Sequence, residues 1–95
     1  MLRFTWAPQK ADRNLQKHGV SFPEASSVFG DRLALDIDDP VHSEGEPRFV
    51  ILGNSEGRRL LVVVYTEPEA DTIGIISARR AAPRERRNYE NLEKS

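Results

Sequence analysis

The sequence contains no cysteine. That excludes a disulfide framework, a thiolate zinc site and a cysteine nucleophile. Its two histidines, His18 and His42, are too far apart to make a local ligand motif, and there is no HExxH. No structural metal and no cofactor is therefore expected. Long hydrophobic runs are missing too. The longest, Leu60 to Tyr65, is a strand's worth and far short of a membrane span. The opening MLRFTWAPQK lacks the apolar stretch of a signal peptide, so the expectation is a soluble, cytoplasmic protein with no membrane partner. GxGxxG, P-loop, GxSxG and paired-carboxylate motifs are also absent.

What is present is one domain's worth of chain, 95 residues, with a modest core; a domain this small buries roughly two-thirds of its unfolded surface. A binding partner would add stability by mass action. The formal net charge of −1 conceals a segregation. Residues 31–58 carry seven acids (Asp31, Asp36, Asp38, Asp39, Glu44, Glu46, Glu56) against three arginines. Residues 79–87 carry five arginines against Glu85 alone. The arginine cluster, and not the net charge, points to an anionic ligand. The acidic stretch suits solvent or a basic partner.

Along the chain, Arg3 to Trp6 alternates in polarity as a short strand does. Pro8 suits a first helical turn, Gln9 to His18 is rich in helix formers, and Gly19 suits the left-handed position after a helix. Ser21, Pro23 and Glu24 read as a capping box opening a second helix, with Phe22, Ala25, Val28 and Phe29 as its apolar stripe and Gly30 as its end. The period then changes to two. Strands are expected over Leu33 to Asp38, Arg48 to Leu52, Arg59 to Thr66 and Thr72 to Arg79. The connections are a loop over 39–47 and polar turns over 54–57 and 67–71. The continuous run Leu60 to Val64 should be covered on both faces. Pro83 opens a final helix, Arg84 to Leu92, with Arg86, Arg87 and Glu90 in water. The fold class is α+β, in the order β-α-α-β-β-β-β-α. Tight connections between the later strands predict an antiparallel sheet with helices packed on it.

Candidate chemistry concentrates where the last strand ends. Arg79 and Arg80 emerge there, and Arg84, Arg86 and Arg87 follow on the helix after Pro83. Arginine forks match phosphate oxygens, and a helix N-terminus adds N–H donors. The alternative for Arg84, Arg86 and Arg87 is a solvated, ion-paired face. His18, in Lys17-His18-Gly19, is placed either for proton transfer or for a favourable interaction with a helix C-terminus. Tyr65 and Glu67 bracket the end of the hydrophobic strand. They are candidates to assist proton transfer, against a half-buried tyrosine whose hydroxyl meets water. Trp6 either stacks on a base or packs on the first helix. His42, in the acidic loop, is read as surface.

Several segments together resemble the BrnT toxin family. They are Phe4-Thr5-Trp6, Lys17 to Ala25 (KHGVSFPEA) and Val28-Phe29-Gly30-Asp31, then Arg48-Phe49-Val50, Val62 to Glu67 (VVVYTE), Ile75 to Ala81 (IISARRA) and Glu85 to Tyr89 (ERRNY). The resemblance runs through nearly the whole chain in order. It implies a RelE-like fold and a metal-independent endoribonuclease that blocks translation and growth. It also implies neutralisation by a BrnA-like, DNA-binding antitoxin. In such chemistry the ribose 2′-OH attacks the adjacent phosphate with help from a base, a cation and an acid. Within that scheme Arg79, Arg80, His18, Tyr65 and Glu67 are the catalytic candidates, and Lys17, Arg84 and Arg87 the RNA-binding ones. The chain departs from the pattern at Pro68 and Gly74, where many members carry arginine. Those departures support the alternative of a non-catalytic module that keeps the fold and works only through its partner.

Overall fold

The computed structural model describes residues 1–37 and 46–93. The end of the second expected strand at Asp38, most of the expected loop over 39–47 and His42 lie outside the described residues. The elements run β1 (Arg3–Thr5), α1 (Pro8–His18), α2 (Phe22–Ser27), a 3-10 turn (Val28–Gly30), β2 (Leu35–Ile37), β3 (Phe49–Asn54), β4 (Leu60–Thr66), β5 (Thr72–Arg80) and α3 (Pro83–Glu93). The helix ends follow local chemistry. Pro8 sits in the first turn of α1, and Gly19 closes it in the left-handed region at φ 69°, its N–H donating to Leu15 O. Ser21 Oγ accepts from the Glu24 backbone N–H at 3.2 Å. The reciprocal half of the expected capping box is missing, because the Glu24 carboxylate turns away to Arg59 and to Ser55 Oγ.

One five-stranded sheet, in the order β1-β5-β4-β3-β2, carries the fold. Strands β2 to β5 are antiparallel neighbours, and β1 joins β5 in parallel, Phe4 opposite Ile73. The sheet is therefore mixed, which corrects the expected antiparallel one. Tight turns dictate direction only between successive strands, and β1 reaches β5 through most of the chain. A β-bulge interrupts the β4–β5 ladder: Val64 faces Ser77 while Tyr65 faces Ile75, leaving Ile76 as the extra residue.

Alternation along β4 splits the apolar side chains between two faces. Leu61, Val63 and Tyr65 join Val20, Phe22, Ala25, Val28, Ile51, Ile73, Ile75 and Ala78 in the larger core beneath α1 and α2. Leu60 and Val62 join Leu52 and Tyr89 beneath α3 on the reverse face. The strand is covered on both sides, as its continuous run implies. Gly53 is where the 3-10 turn presses on β3. A Cβ there would stand 2.9 Å from Ala34 Cβ and 3.0 Å from Val28 Cγ1. Among the described residues no helix is long and apolar enough to cross a membrane.

The seating of α1 is unusual. Its one buried residue is Asn14, whereas Leu15 is 51% exposed. Strand β1 ends opposite Gly74, so among the described residues no strand lies beside β5 beyond that point. The Asn14 side chain takes that place. Its Oδ1 accepts from Ala78 N at 3.0 Å and its Nδ2 donates to Ala78 O at 2.8 Å and to Val20 O at 2.9 Å. A carboxamide reproduces the donor–acceptor pair of a neighbouring peptide, so the edge of β5 is closed by a side chain.

Candidate functional site

With Asn14 turned onto β5, the residues that share its side of the helix run along the same edge. Lys10, Arg13, Lys17 and His18 stand at the helical spacing that puts them in one stripe with Asn14. Together with Ile76 and Ser77 they line a groove of about 280 Å³. A second hollow, of about 480 Å³, is lined by Thr5, Trp6, Lys10, Glu46, Arg48, Thr66, Pro68, Gly74 and Ile76 among others. Lys10 and Ile76 belong to both, so the two hollows adjoin at the bulge and together make up a channel. A bulge beside a site re-aims a side chain, and here it sets Ile76 at the junction. Lys10, Arg13, Lys17 and Arg48 are exposed, and none takes part in an ion pair among the described residues. The channel is thus a cationic strip on a chain of net charge −1.

Pro68 and Gly74, the two departures from the family pattern, are neighbours in this channel. A Cβ on Gly74 would lie 2.7 Å from Thr66 Oγ1 and 3.7 Å from Pro68 Cδ. Lys17, His18 and Trp6 line the channel, and Arg79, Arg80, Tyr65, Glu67, Arg84 and Arg87 do not. Arg79 and Arg80 point to opposite faces of the sheet, Arg79 opposite Val62 on the α3 side and Arg80 opposite Leu61 on the α2 side. Arg79 donates twice to Glu85, at 2.8 Å each, and once to Arg80 O at 3.2 Å. The Glu85 carboxylate also accepts from Ala82 N. That fork secures the start of α3, and Arg79 in turn holds the Glu85 carboxyl below the usual carboxylate range. Arg80 is exposed, and its charge bears on Glu24.

Tyr65 is buried at 6% exposure, ringed by Phe29 and Phe49, and its hydroxyl donates to Asp36 Oδ1 at 3.4 Å. Burial, the Asp36 and Glu67 charges and that hydrogen bond push its pKa up to about 12. Such a phenol keeps its proton and sits on the helix-covered face, away from the channel. Glu67 is exposed beyond β4, and Arg84 and Arg87 are exposed on α3. Trp6 packs edge-on against Phe22 at 5.8 Å, yet also lines the larger hollow. Among the described residues no group of three or more His, Asp or Glu is placed to hold a metal ion.

Sequence reasoning missed Lys10, Arg13 and Arg48. The first two had a legible signal: with Lys17 they repeat at helical spacing. Arg48 had none, because it reaches the hollow only through the pairing of β3 with β4. Asn14 had none either, because what it completes is a strand edge 64 residues away.

The far end of α3 is tied down by Asp31. Its Oδ2 accepts from the Tyr89 hydroxyl at 2.7 Å and from Asn54 N at 2.8 Å, and its Oδ1 from Leu33 N at 3.0 Å. Desolvation raises this carboxyl's pKa, but the three hydrogen bonds outweigh it and leave a net lowering. A lowered folded pKa means the contribution is complete above the ordinary carboxylate value and is lost as pH falls below it towards the folded value. Asp31→Asn is therefore expected to melt below wild type at pH 7. The gap should close progressively below about pH 4, as thermal melts across pH will show. A gap that stays constant down to the acid limit would contradict this assignment.

Residues 6–85 match the family described as "Ribonuclease toxin, BrnT, of type II toxin-antitoxin system". Among curated proteins none matches the sequence. The fold is similar to the 1.1 Å crystal structure of the Brucella abortus ribonuclease toxin BrnT. The TM-score is 0.66 at 20% identity, covering 86% of this chain and 99% of that one. At that identity the likeness concerns the fold alone.

Proposed function

The chain belongs to the BrnT family of ribonuclease toxins of type II toxin–antitoxin systems, and from that premise we propose a RelE-like, metal-independent endoribonuclease that cuts RNA in the groove beside α1. The observation that carries the reading is the alignment of Lys10, Arg13, Lys17 and His18 along one groove over the β5 edge. In this scheme His18 takes the proton of a ribose 2′-OH, and the 2′ oxygen attacks the adjacent phosphorus. Arg13 supports the charge that builds on the phosphate oxygens. The P–O5′ bond breaks, and the departing 5′ oxygen takes a proton from the Lys17 ammonium, which solvent restores. The products are a 2′,3′-cyclic phosphate and a free 5′-hydroxyl. Arg79 acts as a positioning residue for α3 through Glu85. Tyr65, Glu67, Arg80, Arg84 and Arg87 stand outside the reaction.

A type II toxin works against an antitoxin, and a BrnA-like DNA-binding protein encoded beside this gene is the partner proposed. The test is cleavage of RNA by the purified chain in EDTA, with and without ribosomes, and analysis of the ends. Cyclic phosphate ends produced in EDTA, with growth arrest relieved by the neighbouring reading frame, are the expected results. If no RNA is cut under either condition, the chain is a non-catalytic module that acts through its partner.

A further inference from the structure

We propose that the hollow over Gly74 receives one unpaired nucleobase of an RNA strand, with Lys10 and Arg48 holding the flanking phosphates. The proposal rests on the reading of RNA as the ligand and adds where the strand lies and how a base is met. At about 480 Å³, the hollow falls in the size range of small-ligand sites, roughly 300–1,000 Å³. Gly74 leaves room for its neighbours: a Cβ there would stand 2.7 Å from Thr66 Oγ1 and 3.7 Å from Pro68 Cδ, so the Thr66 hydroxyl and the Pro68 ring sit against the Gly74 backbone and form this part of the lining.

Trp6 lines one side, and its ring is braced edge-on by Phe22 at 78°. A braced aromatic ring loses little freedom when a base stacks on it, and stacking accepts any base that is not already paired. Thr5 and Thr66 bring hydroxyls to the same hollow, able to donate to or accept from a base edge. The two cations come from different elements, Lys10 from α1 and Arg48 from just before β3, and both are exposed and outside any ion pair among the described residues. Lys10 also belongs to the groove of Lys17 and His18. The strand therefore passes from this hollow into that groove.

Trp6 is the sole tryptophan of the chain, so its fluorescence reports this hollow alone. The experiment titrates the full chain with a 2′-O-methyl single-stranded RNA, which cannot be cleaved, following both anisotropy of the RNA label and Trp6 emission. Binding is expected to quench Trp6, and an abasic strand of the same length to bind with the quenching lost. Arg48→Ala and Lys10→Ala should each weaken binding and reduce the slope of log affinity against log salt by about 0.7. Arg84→Ala, on α3, should leave both readings unchanged. If the RNA binds with Trp6 emission and the Arg48→Ala slope unchanged, the hollow is not the base site, although cleavage in EDTA would still support the function proposed above. If no strand binds at all, this proposal falls. RNA cleavage in the EDTA assay then decides separately whether the enzymatic reading survives.

Discussion

Asn14→Leu is expected to lower stability by about 3 kcal/mol, which for a domain of this size is a fall in Tm of roughly 12–24 °C. Leucine has the same number and branching of side-chain heavy atoms as asparagine, so the change leaves no cavity and the loss is chiefly one of hydrogen bonds. Three hydrogen bonds disappear, those to Ala78 N, Ala78 O and Val20 O. Leaving a buried backbone group without a partner costs about 1–3 kcal/mol, and the total falls short of a simple sum because water can reach part of the edge. Asn14→Asp separates the two halves of the interaction. A carboxylate still accepts from Ala78 N but cannot donate to either carbonyl, and it brings a charge to a site only 6% exposed. Both variants are expected to destabilise, but only Asn14→Leu, which removes the acceptor of the Ala78 N–H, should speed hydrogen exchange locally at that amide. Melts of Asn14→Leu within a few degrees of wild type would show that the carboxamide is not what closes the β5 edge.

His18→Ala is expected to lower the rate of RNA cleavage by about a hundredfold or more, the usual contribution of a positioned general base. Removing a proton acceptor changes kcat and leaves strand affinity, set by Lys10, Arg13 and Lys17, close to wild type. The stability effect should be small. His18 is half-buried at the end of α1, and a cation near a helix C-terminus contributes only about 0.3–1 kcal/mol. A purely structural histidine would give the opposite pattern, a lower Tm with kcat intact. Cleavage by His18→Ala at the wild-type rate would place the base elsewhere.

Much of the fold is legible in the sequence because it depends on neighbours in the chain. Pro8 and Gly19 bound α1, Ser21 caps α2, and the run Leu60 to Val64 requires cover on both sides. Each of these is settled within a turn or a strand, and the structure places each where local chemistry asks. The family resemblance is legible for the same reason: it is carried by ordered short segments, and the match over residues 6–85 bears it out.

The site is another matter. Arg79 and Arg80 look like a pair because they are adjacent, but strand alternation sends them to opposite faces and Glu85 captures one of them. Tyr65 and Glu67 read as a strand-end pair able to assist proton transfer, or else as a half-buried tyrosine with its hydroxyl in water, yet the ring of Tyr65 is closed in by Phe29 and Phe49 and its hydroxyl meets Asp36. Conversely, Lys10, Arg48 and Gly74 come from three elements and share one hollow. By itself the sequence determined the elements, the ends of α1, the α+β class and the family, because propensity, capping and periodicity act over a few residues. Only the tertiary structure decided the parallel seat of β1, the Asn14 closure of β5 and the channel of cations along it. Those depend on which distant strands become neighbours, and that is set by how the whole chain buries its apolar faces, not by any local pattern.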